Sequence, residues 1–225
     1  MTLLKRDLFG TVRCETHRLQ SDSPDETLVV VRNTDDARWW LRPVARALAK
    51  REARALEHLR DIERIPRLLS FNNSQLTREW IDAEPMHRAK PTSITYFRRA
   101  SRLVRQLHAL RLVHNDLAKE SNWLVTPDGL PALVDFQLAS RSRHRGKLFR
   151  MLAHDDVRHL LKHKRSYLPE RLTARERRIL ASPSMVSRVW KTTGKRLYRL
   201  ITRRILGWSD REGAGDRLHG PRQTR

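Results

Sequence analysis

The stretch HNDLAKESNWLVTPDGLPALVDFQLA, residues 114–139, constrains the fold more than any other part of the chain. Its apolar runs NWLV and PALVDF flank the turn triplet Pro127-Asp128-Gly129, which predicts two short strands back to back. Asp116, Asn122 and Asp135, three side chains with hard oxygen atoms, then fall on the loop before this hairpin and at its far end. A helix must lead into the loop. Phe97, Ala100, Leu103, Val104, Leu107 and Leu110 recur at three-to-four spacing, so the helix is expected over Tyr96 to Leu110.

Upstream the pattern changes period. From Leu3 to Val31 short apolar runs, LFGTV and TLVVV, surround the turn cluster SDSPD, as in a small β-sheet. Val44, Leu48, Ala55, Leu56, Leu59 and Ile62 then line one face of an amphipathic helix. IPRLLSF and QLTREWI, parted by Asn72, Asn73 and Ser74, predict a hairpin and bring the sheet to about five strands. Pro85 discourages helix in its predecessor, and strands give way to helices between Glu79 and Pro91. The expected class is α+β, with a β-rich amino-terminal lobe over residues 1–85 and a helical lobe over 86–225. The second lobe ends in basic helices and a frayed tail. Within it RLYRLITRRILGW, residues 196–208, sets Leu197, Leu200, Ile201, Ile205 and Trp208 on one face. That helix suits docking on the larger lobe or lying in the plane of a membrane.

Charge narrows the partners. The formal net charge is +22, and residues 141–225 hold 24 of the 47 Lys and Arg but only 7 of the 25 Asp and Glu. An anionic partner is expected: nucleotide, nucleic acid, anionic lipid or phosphorylated glycan. Cys14 is the only cysteine, so neither an intrachain disulfide nor a cysteine metal cluster can form. No apolar run approaches the roughly 18 residues of a spanning helix. A cytoplasmic protein is expected, with peripheral contact at the inner face of a membrane as an extension of that reading. The ten histidines show no H-E-x-x-H spacing, and His154, His159 and His163 are expected on a basic helix face rather than on zinc.

The order helix, H-N-D-L-A-K-E-S-N, strand, turn, V-D-F-Q resembles the catalytic loop and metal-binding segment of the protein-kinase-like superfamily, usually H-R-D-x-x-x-x-N and D-F-G. Within it the chain is similar to small atypical bacterial and RIO-like kinases and to lipopolysaccharide core sugar kinases, over roughly Leu28 to Ser140. The resemblance implies a two-lobed kinase-like fold that uses ATP and Mg²⁺. It makes Asp116 the base that orients the acceptor hydroxyl, Lys119 a phosphate contact in the same loop, and Asn122 and Asp135 the metal ligands. It pairs Arg32, at the end of the third strand, with Glu52 on the first long helix to hold the α- and β-phosphates. Glu79 and Trp80 match the hinge that bonds adenine through its backbone.

The chain also departs from that pattern. Five residues, LAKES, separate Asp116 from Asn122 where the family has four. Asn115 replaces the arginine that pairs with a phosphorylated activation loop, Gln137 replaces the D-F-G glycine, and Arg32 stands in the place of the strand-three lysine. Lys50 is a rival for that last role. Gly10 is the only glycine near the amino terminus and no G-x-G-x-x-G appears there, so phosphate coverage by a glycine loop is weak or different, and no A-P-E follows Asp135. The expected function is transfer of the γ-phosphate of ATP to a protein serine/threonine hydroxyl or to a sugar hydroxyl of a phosphorylated envelope glycolipid. The alternative is a pseudokinase that binds anionic partners through its basic surface without catalysis. An RNA or ribosome partner follows from charge alone.

Overall fold

In the computed structural model the structure describes residues 2–18 and 26–181. The 196–208 helix and the frayed tail lie outside the described residues. Strands β1 (Thr2–Asp7), β2 (Gly10–Arg18) and β3 (Glu26–Asn33) precede helix α1 (Arg42–His58), and β4 (Leu68–Asn72) and β5 (Gln75–Glu79) follow it. The five strands form one antiparallel sheet in the order β1-β2-β3-β5-β4. Val29, Val30 and Val31 of β3 are all buried, so this central strand is covered on both faces.

Gly10 has a structural reason. It has φ +121° at the start of β2, and a side-chain carbon there would collide with the Asn33 carbonyl at the end of β3. The one amino-terminal glycine therefore serves the corner of the sheet.

Helix α1 begins with Pro43 in its first turn, where a missing N–H costs nothing. Its inner face is built of Ala45, Ala49, Ala53, Ala55 and Leu56, small side chains that let the helix lie close, with one charged residue among them, Glu52.

The helical part follows a short β6 (Glu84–Pro85) and α2 (Met86–Ala89). Helix α3 (Ile94–Ala109) is capped by the Ser93 hydroxyl, which accepts from the Thr95 amide. Its buried face is Tyr96, Phe97, Ala100, Leu103, Val104 and Leu107, the predicted stripe with Tyr96 added and without Leu110, which caps the helix partly exposed. Strand β7 (Leu112–Val113) leads into the loop, and β8 (Trp123–Val125) and β9 (Pro131–Leu133) form the expected hairpin. Strand β10 (Ser140–Arg141) returns to pair with β7, and α4 (Lys147–Tyr167) and α5 (Ala174–Ala181) close the described chain.

One core joins the end of α1 to the helical part. Leu56 and Leu59 pack in the same cluster as Tyr96, Leu107, Leu117, Trp123, Leu133, Phe136 and Leu160. Trp123 and Phe136 are fully buried, each stabilising the fold by roughly 1.5–3 kcal/mol through area removed from water. They flank the loop residues on one side and Asp135 on the other, so the polar residues between them hang from fixed apolar anchors.

Candidate active site

The loop after β7 is held from below by Asp156 of α4. This carboxylate is buried and accepts from the His114 amide at 2.9 Å, the Asn115 amide at 3.1 Å and the His108 ring at 3.2 Å. Asn115 adopts φ +65°, an uncommon conformation that the two amide bonds secure. Its side chain donates to the Leu138 carbonyl and the Ser140 hydroxyl, both at 2.9 Å. Where regulated kinases need a phosphate to order this region, a neutral amide ties it directly.

His114 lies in the core, its Nε2 3.1 Å from the Val134 carbonyl and its ring 4.6 Å from Phe136. Burial pushes its pKa down. It thus joins the loop to the segment that carries Asp135.

The fifth residue between Asp116 and Asn122 is absorbed by a single 3-10 turn, Glu120–Asn122. Asn122 comes back to Asp116, its amide nitrogen donating to the Asp116 carbonyl at 2.9 Å and to Oδ2 at 3.0 Å. Lys119 donates to the same Oδ2 at 2.7 Å. Glu120 is pinned by the Tyr167 hydroxyl at 2.7 Å, and the Trp123 indole and the His163 ring both bond the Leu117 carbonyl. His163 is therefore buried against the loop, not set on an exposed basic face as its spacing suggested. Its pKa too is lowered by burial.

The second cluster lies between the sheet and the hairpin. Arg32 Nε is 3.4 Å from Glu52 Oε2, Nη2 is 3.4 Å from Asp135 Oδ1, and Nη1 donates to Gln137 Oε1 at 2.8 Å. Gln137 Nε2 in turn lies 3.4 Å from Asp135 Oδ2. Asp135 has φ +66°, which turns the chain so that its carboxylate and the Gln137 side chain reach the same guanidinium. Lys50 is on the exposed side of α1, and the partners of Glu52 are Arg32 and Arg78.

Arg78 carried no signal in the sequence. Its place on β5, opposite Val30 of β3, aims it at Glu52, with Nε 3.6 Å from Oε1. Burial lowers its pKa, with Glu52 opposing that shift. Glu52 is fully buried, and neither oxygen receives a hydrogen bond of good geometry, so its charge is met by two guanidiniums at ion-pair range alone.

Glu79 and Trp80 sit at the end of β5, but their backbone donors are in use. The Glu79 amide bonds the Arg67 carbonyl at 2.9 Å and the Trp80 amide the Leu28 carbonyl at 3.2 Å. Among the described residues Ile81, Asp82 and Ala83, just after Trp80, donate no such backbone bond. A cavity of about 1480 Å³ lies elsewhere, beside α1 and lined in part by Lys50, Arg54 and Arg141. It touches none of the acidic residues above.

The RIO domain family model matches residues 28–177. The chain belongs to the RIO family. RIO domains are an atypical, ATP-binding branch of the protein-kinase-like proteins, and the antiparallel sheet followed by helices fits that two-lobed fold. The RIO match reaches past Ser140 through α4 and into α5, so it includes Asp156 and His163, the residues that hold the loop from below. No curated protein matches the chain.

Whether this RIO domain suits a divalent ion can be asked of its donors. Among the described residues no three His, Cys, Asp or Glu gather as a ready-made metal site. Asn122 spends its amide hydrogens on Asp116, so its Oδ1, met only by the Ser121 hydroxyl at 3.5 Å, is the atom it could offer, and Asp135 adds a carboxylate. Two hard oxygen ligands, with the rest supplied by nucleotide and water, suit Mg²⁺.

Proposed function

We propose that this RIO domain is an ATP-dependent kinase that transfers the γ-phosphate to a hydroxyl. The observation that carries the reading is the Asp116 carboxylate, whose Oδ2 is fixed by Lys119 and Asn122. That leaves Oδ1 to accept from an incoming hydroxyl. An Asp set in this way orients the nucleophile and takes its proton as the new P–O bond forms and the bond to ADP breaks.

Lys119, half-exposed beside Asp116, offers a cation to the transferring phosphoryl group. Arg32 and its partner Glu52 hold the α- and β-phosphates, and the backbone after Trp80 takes the adenine edge. Asp135 and Asn122 would hold Mg²⁺, which when bound neutralises phosphate charge. The acceptor is a hydroxyl on an anionic molecule, since a chain of net charge +22 draws negative partners. The candidate acceptors are a protein serine or threonine and a sugar hydroxyl of a phosphorylated glycolipid. No described helix is long and apolar enough to cross a membrane.

The test is incubation of the full chain with γ-labelled ATP and Mg²⁺, with protein and envelope fractions as acceptors. Label transfer that Asp116→Asn and Asp135→Ala abolish supports the reading; ATP binding with no transfer to any fraction favours the second one. That second reading is a pseudokinase, and one contact motivates it: Arg32 leans on Asp135, the acid that would otherwise be free for metal.

A further inference from the structure

We propose that Gln137 is a positioning residue that makes an arginine workable at position 32. This rests on the kinase reading above and goes beyond it, since nothing in the kinase pattern gives the residue after D-F a side chain to use.

Three of the contacts of the Arg32 guanidinium can be compared in quality. The ionic ones, to Glu52 and Asp135, are both 3.4 Å, beyond a good hydrogen bond, whereas the bond from Nη1 to Gln137 is 2.8 Å. Coulomb attraction at 3.4 Å says little about which way a planar fork faces. A short bond to one amide oxygen does.

Gln137 is well placed for that task. It sits in the one-turn helix Phe136–Leu138, whose Phe136 is fully buried against the His114 ring. The same side chain lies 3.4 Å from Asp135 Oδ2, a looser contact, so its firm bond is to the cation while it also borders the acid.

The residue type also matters. Arg32 and Arg78 bring two positive charges to Glu52 and Asp135, and the cluster is balanced. A neutral amide fixes the fork without adding charge. A carboxylate at position 137 would add a third acid and compete with phosphate for the guanidinium. A lysine at position 32 is a point charge with rotatable donors and has no plane to fix. Arginine for lysine and glutamine for glycine are thus one physical exchange in two places.

The experiment is calorimetric titration of the full chain with ATP, with and without Mg²⁺, for the wild type, Gln137→Met, Gln137→Glu, Arg32→Lys and the double variant Arg32→Lys/Gln137→Met. Gln137→Met keeps the volume and loses the hydrogen bond; we expect ATP binding about 5- to 10-fold weaker with the melting temperature of the free protein unchanged. Gln137→Glu should bind more weakly still. In the double variant the losses should fall short of the product of the single ones, because lysine needs no holder. If the wild type binds ATP and Gln137→Met binds it equally well, or if the losses simply multiply, Gln137 has no such role. If the wild type binds no ATP, the kinase reading fails and this inference with it.

Discussion

Arg78 and Glu52 face each other inside the amino-terminal part of the fold, the guanidinium Nε 3.6 Å from a carboxylate oxygen that is fully buried. Glu52 gives its other oxygen to Arg32, so a single carboxylate serves one cation of the site and one of the sheet. Glu52→Ala should therefore cost more than a lost surface pair: two guanidiniums remain with one acid, and about 3–5 kcal/mol of stability should go in urea melts. Arg78→Met should cost less, because Arg32 still neutralises Glu52. Equal and small losses in both would mean that the pair is not buried in solution.

Asp116 invites a separation of binding from chemistry. Asp116→Asn keeps the shape of the side chain and removes its basicity, so single-turnover transfer should fall by about 10²- to 10⁴-fold while ATP affinity stays within about twofold. Lys119→Ala should lower transfer less, since its half-exposed ammonium is screened by water.

Asp156 touches no candidate ligand residue through its side chain, yet it holds the loop's backbone. Asp156→Ala leaves the His114 and Asn115 amides without their acceptor, and each such loss costs about 1–3 kcal/mol. We expect a lower melting temperature and faster amide exchange over residues 114–122. Unchanged exchange there would show that the loop does not depend on α4.

His114 and His163 set a direction with pH. Burial is the largest cause in both and lowers their folded-state pKa below the unfolded value of about 6.5. Between the two values the unfolded chain binds more protons, so stability is full above about pH 6.5 and declines as the pH falls below it. Urea melts from pH 7.5 to 5.5 should show this slope, and His163→Gln should make it shallower. A slope of the opposite sign would contradict neutral, buried imidazoles.

Periodicity was informative wherever an element buries one face against a single neighbour. The stripe from Phe97 to Leu107 on α3 could be read that way, because burial of one face leaves a repeat in the chain, whereas the hairpin around Pro127-Asp128-Gly129 and the five-stranded sheet were legible as short apolar runs parted by turn residues. The pairing of Arg32 with Glu52 followed from the kinase resemblance and not from spacing. Lys50, two residues from Glu52, was a rival for the role of Arg32, and the turn of α1 puts it on the outside.

His163 was misread for a related reason. On a helix with Lys162, Lys164 and Arg165 it looks like one more polar residue, and only the approach of α4 to the Leu117 carbonyl buries it. The unexpected fifth residue between Asp116 and Asn122 is the converse case. Its length was plain in the sequence, but the 3-10 turn that removes its consequence depends on Tyr167 and His163, more than forty positions away.

The sequence by itself determined the order of elements, the hairpin that frames the loop and the acidic and amide residues available to it, because each is encoded within about twenty positions. The tertiary structure alone decided that Arg78 shares Glu52, that Gln137 grips Arg32, and that Asp156 supports the loop. Each of these joins residues 26 to 105 positions apart or on different elements, and no local repeat records which distant side chains a buried charge will meet.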